Sequence, residues 1–413
     1  MSDPQVIVVG GGPAGSSTAF FLARAGVDVL LLDRARFPRD KVCSEYMSPQ
    51  ASRILAEMDA LCAVENAGAA RLVGMRVHAP NGRTIHGEFA AAHGYRGFRD
   101  RGLAVRRTVL DSILLERARS AGVKVEEGVR VTDVARDASG RVNGVMTTDA
   151  AGVKMRGAAL VVGADGLRSV VGRRLNLIRS SRWPRRIALV THFRGVEGMR
   201  DFGEMHVDRD GYCGLADVGD GLTNVAVVVP VARAAEVAVD RTEFFESWIA
   251  ERPAIAVMFA RATRVGPVRA TGPFASSARK AWTCGAALVG DAADFFDPFT
   301  GEGIYAALRG GELAAPFIAE SVTAAAQGRE CDASLAAYER ARRAEFSGKW
   351  KVERLVGAAV GFPSLINRAA NVLSRRRDMA DLFVGVVGDF VPAREVLKPM
   401  YLLNLMFSPA SRG

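Results

Sequence analysis

The feature that most constrains this chain is a glycine-rich turn directly after its first strand-like segment. Gln5 to Val9 read as a buried parallel strand, and the next six residues, Gly10 to Gly15, are Gly-Gly-Gly-Pro-Ala-Gly. An amphipathic helix is predicted over Ser16 to Ala25, closed by Gly26, and Val27 to Leu32 predicts the next strand. The chain therefore begins with a strand–helix–strand unit of about thirty residues.

This turn fits the Gly-x-Gly-x-x-Gly pattern of dinucleotide-binding folds. Gly10 allows the tight turn, Gly12 lets the backbone approach a pyrophosphate, and Gly15 lets helix and strand pack closely. The helix N-terminus offers free N–H groups to the phosphates. Asp33 ends the second strand, 18 residues after Gly15, where an acidic side chain would take the ribose hydroxyls. A bound dinucleotide is predicted, and the pattern alone fits both FAD and NAD.

The rest of the chain alternates between strand-rich and helical segments. Asn81-Gly82 signals a hairpin, and Arg107 to Ala121 is strongly helical. Residues 129–163 predict a three-stranded meander that ends in the apolar run Ala159 to Val162. Residues 185–232 predict a second sheet, and the strand–turn–helix style returns from Ala286.

Several later segments carry a family resemblance. Gly163-Ala164-Asp165-Gly166 follows the meander, Gly290-Asp291 follows an apolar strand, and Arg107-x-x-x-Asp111 opens a helix. These motifs resemble those of flavin hydroxylases, in the same order. Pro298 to Tyr305 and Phe37 to Cys43 resemble segments of the geranylgeranyl reductases. The chain is identified as a member of the geranylgeranyl reductase and aromatic hydroxylase (para-hydroxybenzoate hydroxylase-like) branch of the glutathione-reductase-like flavoproteins.

The resemblance implies non-covalently bound FAD. Alternative structural roles stay open for two residues, because Asp165 would also suit a helix cap and Asp291 a turn. The implied cofactor-binding residues are Gly10, Gly12, Pro13, Ala14, Gly15, Asp33, Arg34, Arg39, Lys41, Cys43, Arg107, Val131, Asp165, Gly166, Gly290, Asp291, Pro298, Gly301, Gly303 and Ile304.

The expected fold class is α/β, with an interleaved domain order. A Rossmann-like ββα FAD-binding domain is expected over residues 1–70, 98–180 and 265–340. An antiparallel substrate-binding sheet is expected over residues 71–97 and 181–264, and a helical C-terminal lid over 341–413. This division agrees with a length of 413 residues, which exceeds what one core usually supports.

Catalytic side chains are hard to assign from sequence. Cys43 is the one candidate, but Ser44-Glu45 follows it where the family usually has glycine, and a buried cysteine is by default a small apolar residue. His192 and His206 lie on strand-like runs and are interpreted as structural. The five cysteines show no Cys-x-x-Cys spacing, so no metal site is predicted and a reducing cytoplasm is favoured.

Two reactions follow from the resemblance. The favoured one is a monooxygenase that uses O₂ through a C4a-hydroperoxyflavin to hydroxylate or epoxidise a lipophilic aromatic, polyketide or isoprenoid-like molecule. The alternative is a flavin-dependent alkene (prenyl) reductase, and an FAD-binding scaffold without turnover is the non-enzyme alternative. The Trp-x-Trp-x-Ile-Pro signature of flavin halogenases is absent from the sequence. No second Gly-x-Gly-x-x-Gly occurs, so NAD(P)H is expected to dock only transiently as the reductant.

The net charge of +10 bears on partners. No interleaving of basic and aromatic residues indicates nucleic acid. Residues 341–413 carry 12 Lys and Arg against 6 Asp and Glu, alternating with the apolar helical stretches Lys349–Gly361, Leu365–Arg377 and Met400–Phe407. Such helices either lie on an anionic membrane surface or pack their apolar faces on the substrate domain. The sequence thus predicts a cytoplasmic protein with a peripheral membrane contact as one alternative, and leaves the oligomeric state open.

Overall fold

The computed structural model describes residues 3–90, 92–150, 152–181, 185–329 and 331–407. In chain order its strands are β1 Val6–Val9, β2 Val29–Asp33, β3 Tyr46–Met47, β4 Ala70–Leu72, β5 Gly74–His78, β6 Thr84–Glu88, β7 Gly102–Ala104, β8 Lys124–Glu127, β9 Arg130–Arg136, β10 Val142–Asp149, β11 Gly152–Gly157, β12 Leu160–Gly163, β13 Ile178–Ser180, β14 Arg186–Arg194, β15 Phe202–Asp208, β16 Gly211–Asp217, β17 Leu222–Pro230, β18 Thr263–Thr271, β19 Ser276–Ala278, β20 Trp282–Thr283, β21 Ala286–Leu288 and β22 Asp294–Phe295. Its α-helices are α1 Pro13–Arg24, α2 Ala51–Glu57, α3 Leu61–Asn66, α4 Arg107–Ser120, α5 Val170–Arg174, α6 Ala234–Val239, α7 Arg241–Ala250, α8 Pro253–Ala256, α9 Gly303–Ala326, α10 Asp332–Val360, α11 Pro363–Leu373, α12 Arg377–Val387 and α13 Pro399–Phe407.

A mainly parallel sheet carries the glycine-rich turn. Its strand order is β20-β21-β12-β1-β2-β8, and β1 pairs in parallel with both β12 and β2. Every residue of β1 is buried, which explains its unbroken run of β-branched side chains. Helices α1 and α9 pack against each other beside this sheet. The α/β fold class predicted from the sequence is confirmed.

The meander is shorter than the sequence indicates. Strands β9, β10 and β11 form an antiparallel sheet of their own. The apolar run expected to close this meander instead forms β12, between β1 and β21 of the parallel sheet. That expectation was wrong because a short apolar run suits both the last strand of a meander and a central strand of a parallel sheet. Only burial on both faces, as in β12, distinguishes the central strand.

The second sheet forms the substrate domain, in the order β18-β14-β17-β16-β15-β5-β6. Its pairs are antiparallel except β15 with β5. Gly82 has a φ of +78° in the turn between β5 and β6, as the hairpin prediction requires. Because β18 pairs with β14, this sheet extends to Thr271, beyond the boundary expected at residue 264. Helix α7 covers one face, where Phe245 and Trp248 are buried.

The C-terminal helices cover the other face of this sheet. Helix α10 is continuous and begins before the expected boundary at residue 341. Pro363 occupies the first turn of α11, where its missing N–H removes no helical hydrogen bond. Side chains of α10, α11, α12 and α13 share one core with β5, β14 and β15. Across the described residues, none of the helices is both long and apolar enough to cross a membrane.

Candidate functional site

Two glycines of the turn are required by backbone packing. A Cβ atom on Gly10, whose φ is +105°, would lie 2.6 Å from the carbonyl oxygen of Ala164. A Cβ atom on Gly15 would collide with the carbonyl oxygen of Gly10. These glycines therefore let β1, β12 and α1 approach one another, which is the packing role expected of Gly15.

Gly12 faces two cations instead. A Cβ atom there would lie 3.4 Å from Nη2 of Arg39 and 3.8 Å from Nη2 of Arg107. Both guanidiniums are fixed by the buried carboxylate of Asp111, with Arg39 Nη1 3.0 Å from its Oδ2 and Arg107 Nε donating over 2.8 Å to its Oδ1. A glycine without side-chain bulk, a helix N-terminus and two oriented guanidiniums form a cradle that suits a pyrophosphate.

Lys41 adds a third cation to this cradle. Its Nζ lies 3.9 Å from Oδ2 of Asp291. Burial lowers the pKa of Lys41, and the positive charge of Arg107 lowers it further, more than Asp291 compensates. A bound anion would relieve this repulsion, so the residues present fit the phosphates of a dinucleotide.

The expected ribose end is organised around Asp33. Its Oδ2 accepts a hydrogen bond of 2.7 Å from the backbone N–H of Gly11, and its Oδ1 accepts one of 2.8 Å from the N–H of Ala35. The side chain of Arg34 is exposed, and that of Val131 is buried on β9. Asp33, Arg34 and Val131 lie outside the wall of the main cavity, at the far end of the glycine turn.

One large cavity lies between the parallel sheet, the substrate sheet and α10. Its volume is about 1810 Å³, counted with the part open to solvent. The residues expected at the cofactor that line it are Gly12, Pro13, Ala14, Lys41, Cys43, Arg107, Gly166, Asp291, Pro298, Gly301, Gly303 and Ile304. The cavity therefore joins the predicted cofactor segments to the substrate sheet and to α10.

Asp165 and Asp291, for which structural roles stayed open, have different surroundings in the structure. Asp291 lines the cavity. Asp165 does not, because its Oδ2 accepts a hydrogen bond of 2.6 Å from the N–H of Val170 and lies 3.4 Å from the N–H of Val171, at the start of α5. The structure thus gives Asp165 the helix-capping geometry, while Gly166 next to it reaches the cavity wall. Gly290 packs against Ala14 at a φ of +59°.

The loop before α9 presents backbone to the cavity. Pro298–Thr300 form a 3₁₀ turn, and Gly301 follows in the left-handed region with a φ of +72°. A Cβ atom on Gly301 would lie 2.9 Å from Cδ1 of Tyr46. Helix α9 begins at Gly303 on the cavity wall, so its free N–H groups and positive end can face an electron-rich ligand there.

The departure from the family after Cys43 has a structural role. Glu45 is buried and has a φ of +62°. Its carboxylate accepts hydrogen bonds from the backbone N–H of Arg107 over 2.8 Å and from Nδ2 of Asn224 over 3.0 Å, and lies 2.7 Å from Nε2 of His192. Glu45 therefore joins the loop of Cys43 to α4 and to the substrate sheet. His192, interpreted as structural from sequence, belongs to this network.

The sequence predicted a helical lid from residue 341 but did not identify which side chains of α10 line the cavity. Phe346, Lys349, Trp350 and Glu353 line the cavity at the three- and four-residue spacing of one helix face. Lys349 Nζ lies 3.1 Å from Oε2 of Glu302 and contacts Asp389. Burial raises the pKa of Glu302 and raises that of Glu353 well above its usual value, Glu302 adding to the rise at Glu353. The spacing was visible in the sequence, but nothing there placed this face against the cofactor site.

Comparison with known proteins shows the family of this chain. The family described as "FAD binding domain" matches residues 3–348. A menaquinone reductase from Mycolicibacterium smegmatis is 28% identical over 403 residues, covering 94% of this chain and 92% of its own. Digeranylgeranylglycerophospholipid reductase 2 from Methanopyrus kandleri is 29% identical, covering 94% and 93%. Conditioned medium factor receptor 1 from Dictyostelium discoideum is 27% identical, covering 90% and 74%.

Solved structures show the same architecture. A flavoprotein/dehydrogenase from Cytophaga hutchinsonii superposes with a TM-score of 0.83 at 21% identity, covering 98% of both chains. The myxobacterial chondrochloren halogenase superposes with a TM-score of 0.78 at 25% identity, covering 98% of this chain and 93% of its own. The fold is thus shared by a flavoprotein/dehydrogenase and a halogenase, so the site residues must distinguish the reactions.

Proposed function

The chain belongs to the FAD-binding-domain family of flavoproteins, and from that premise we propose that it reduces a carbon–carbon double bond of a lipophilic, isoprenoid-like substrate. Two of the relatives described above are named as reductases, and they match this chain over more than nine-tenths of their length. The single observation that carries the proposal is the Glu353 carboxyl group on the cavity wall.

The cavity suits an apolar substrate. Beyond the cradle, its wall is formed largely by aliphatic and aromatic side chains of the substrate sheet, of the loop before α9 and of α10. They include Leu72, Met75, Val190, Met205, Leu215, Val228, Phe274, Phe295, Phe296, Phe299, Phe346 and Trp350. Burying such a surface against a hydrocarbon chain is favourable by about 25 cal/mol per Å² of apolar area.

Glu353 offers what a reduction needs besides hydride. Burial and the charge of Glu302 raise its pKa well above its usual value, against the opposing effect of Lys349, which favours the protonated form of the acid. A neutral acid on the cavity wall can donate that proton to the carbon next to the one that receives hydride. Hydride and proton together saturate the double bond and leave the carboxylate, which solvent reprotonates.

When bound, FAD supplies the hydride, which it obtains from a reductant such as NADH or NADPH. Gly12, Arg39 and Arg107 would hold its phosphates, and Lys41 and Asp291 would lie beside it. Gly301, which has no side chain, would let the backbone approach its ring. The reductant docks transiently in this proposal, as expected from the single dinucleotide turn in the sequence.

Oxygen-dependent hydroxylation, the reaction favoured by the sequence, would use the same apolar cavity. Hydroxylation needs few obligatory side chains, so it does not account for a carboxyl group at the position of Glu353. The halogenase relatives share the fold, but the Trp-x-Trp-x-Ile-Pro signature is absent from this sequence. We therefore place reduction first and treat oxygen insertion as a distinct outcome of the test.

The test compares products with and without oxygen. The FAD-loaded protein is reduced anaerobically and incubated with menaquinone or a geranylgeranyl lipid, and the product is analysed by mass spectrometry. A gain of two hydrogen atoms in the isoprenoid chain, located by fragmentation, with no gain of oxygen supports the proposal. A gain of one oxygen atom, seen only in air, would replace the reductase by the monooxygenase.

Glu353→Gln tests the proton donor. We expect reduction of the substrate to slow by roughly 100-fold or more, the usual contribution of a general acid, with FAD binding unchanged. Glu345→Gln is the matched control, because Glu345 lies on the same helix and its carboxylate is bound by Arg309 outside the cavity. Equal rates in both variants would remove Glu353 from the mechanism.

The proposal extends to where the substrate comes from. Helix α13 buries only Tyr401 among its described side chains, and most of its other apolar residues are exposed. Met400 is 67% exposed and Phe407 74%, and Leu402, Leu403 and Met406 are exposed beside them. The segment from residue 341 onward has a twofold excess of basic over acidic residues. Exposed apolar and basic residues together favour docking on an anionic bilayer, from which a lipid substrate would enter.

Vesicle sedimentation tests this docking. We expect the protein to sediment with phosphatidylglycerol vesicles and less with phosphatidylcholine vesicles. Met400→Asp should weaken that binding, whereas Met155→Asp places the same charge at an exposed methionine on β11 and should not. Equal sedimentation of both variants would argue against docking through α13.

A further inference from the structure

Two imidazoles and a carboxylate meet on neighbouring strands of the substrate sheet. His78 ends β5, and Glu204 and His206 lie two residues apart on β15, so both point to the same face. His206 is the register partner of His78 in the parallel pair. The two imidazole rings stack with centroids 4.2 Å apart and planes within 8° of parallel.

The atoms of this cluster have the arrangement of metal ligands. His78 Nε2 lies 2.5 Å and His206 Nε2 3.9 Å from Oε2 of Glu204, and the three ligand atoms all lie within 4.8 Å of one another. Atoms bonded to one zinc ion at about 2.0–2.2 Å are at most about 4.4 Å apart. Small side-chain rotations would therefore bring the three onto one ion.

His206 points to a ligand independently of these distances. It is 7% exposed, and its Nε2 is buried without a hydrogen-bond partner in the described part of the chain. A buried polar atom left unsatisfied costs about 1–3 kcal/mol.

The surroundings orient the other two groups. Oγ1 of Thr84 lies 3.1 Å from Nδ1 of His78, as the second partner of a metal-bound histidine should. Arg76 donates over 3.2 Å to Oε1 of Glu204, which leaves Oε2 directed at the imidazoles. The side chain of His78 is partly exposed, so an ion can reach the cluster from solvent.

We propose that His78, Glu204 and His206 form a binding site for one divalent transition-metal ion, zinc being the occupant that two imidazoles and a carboxylate suit best. The ion would clamp β5 to β15, whose residues Gly203 and Met205 line the cavity. No metal site was predicted from the sequence, because His78 lies 126 residues before Glu204 and only the pairing of β5 with β15 brings them together.

Calorimetric titration of the FAD-loaded protein with zinc chloride, after removal of metals with EDTA, tests this site. We expect one zinc ion per chain, and at least a tenfold weaker affinity in both His78→Gln and His206→Gln. His86→Gln is the matched control, because His86 lies on the adjoining strand, 3.4 Å from Glu88, and should leave the affinity unchanged. His78→Gln alters a partly exposed side chain, which guards against loss of the fold.

Thermal melting gives a second readout of the same site. Zinc should raise the melting temperature of the unsubstituted protein and of His86→Gln, but not that of His78→Gln. Absence of saturable zinc binding by the unsubstituted protein, or full affinity in both His78→Gln and His206→Gln, would overturn the proposal. Neither result depends on substrate turnover.

Discussion

The hydroxyl of Tyr212 donates a hydrogen bond of 2.7 Å to Oδ1 of Asp297 and so joins the substrate sheet to the loop that precedes the cavity glycines. Burial and the charge of Asp297 raise the pKa of Tyr212 well above its usual value, so the hydroxyl keeps its proton and stays a donor. Oδ2 of Asp297 contacts the buried guanidinium of Arg186, whose Nη2 donates over 2.7 Å to the carbonyl oxygen of Gly357 on α10. The substrate sheet, the loop before α9 and α10 therefore share one buried network at the cavity.

Asp297→Asn should destabilise the protein by about 3–5 kcal/mol, because the buried charge of Arg186 loses its partner. Tyr212→Phe is the comparison, since it removes one hydrogen bond and leaves the ion pair, at a cost of about 1–3 kcal/mol. Urea denaturation followed by circular dichroism measures both. Equal costs for the two variants would mean that the ion pair adds nothing to the network.

Asp291→Ala should leave the protein mostly without FAD. Asp291 lines the cavity beside Lys41, and losing a polar contact to the cofactor typically costs about 1–3 kcal/mol. The ratio of flavin to protein absorbance after gel filtration measures FAD occupancy. Asp28→Ala is the control, because Asp28 is exposed and directly precedes β2. Full occupancy in Asp291→Ala would contradict the assignment.

The parts of the fold that follow from local rules were predictable from the sequence. Gly10 and Gly15 have the positions where a Cβ atom would strike backbone, and Asp33 ends β2 as the spacing requires. The hairpin at Gly82 followed from its turn residues. Each of these depends on neighbours within one strand–turn–helix or hairpin unit, which is why the pattern of residue types was sufficient.

The parts that depend on distant segments were not predictable. Glu302 was predicted only as part of the Pro298 to Tyr305 loop, and Lys349 and Glu353 only as part of a helical lid. Nothing local indicates which side chains of α10 face the cavity. Glu45 looked like a departure from the family, although it binds groups from α4 and from β14 and β17. Tertiary packing of segments far apart in sequence decides both cases.

Arg39→Gln should weaken FAD binding by at least about tenfold, the effect of losing one charge-assisted hydrogen bond to a phosphate. The variant spares the fold better than a change at Arg107, which is almost fully buried. Arg36→Gln, in the same loop but with an exposed side chain, should bind FAD normally. Titration of the apo protein by quenching of FAD fluorescence distinguishes them, and equal affinities would exclude Arg39 from the cradle.

Glu353→Gln should stabilise the protein increasingly as pH rises. The unfolded carboxyl group ionises near pH 4.5, whereas the folded one has a pKa raised well above that value by burial and by Glu302. Between the two pKa values the unfolded state has lost a proton that the folded state still holds, so unfolding becomes easier as pH increases. Each pH unit within this window costs the unsubstituted protein about 1.4 kcal/mol at most.

Glutamine has no proton to lose and escapes this cost, so the free energy of unfolding of the variant should match that of the parent near pH 4.5 and exceed it progressively above. Urea denaturation of both proteins from about pH 5 to about pH 8 measures the difference. A difference that stays constant across this range would show that the Glu353 carboxyl group is ionised in the folded state, and would remove the proton donor from the proposed reduction.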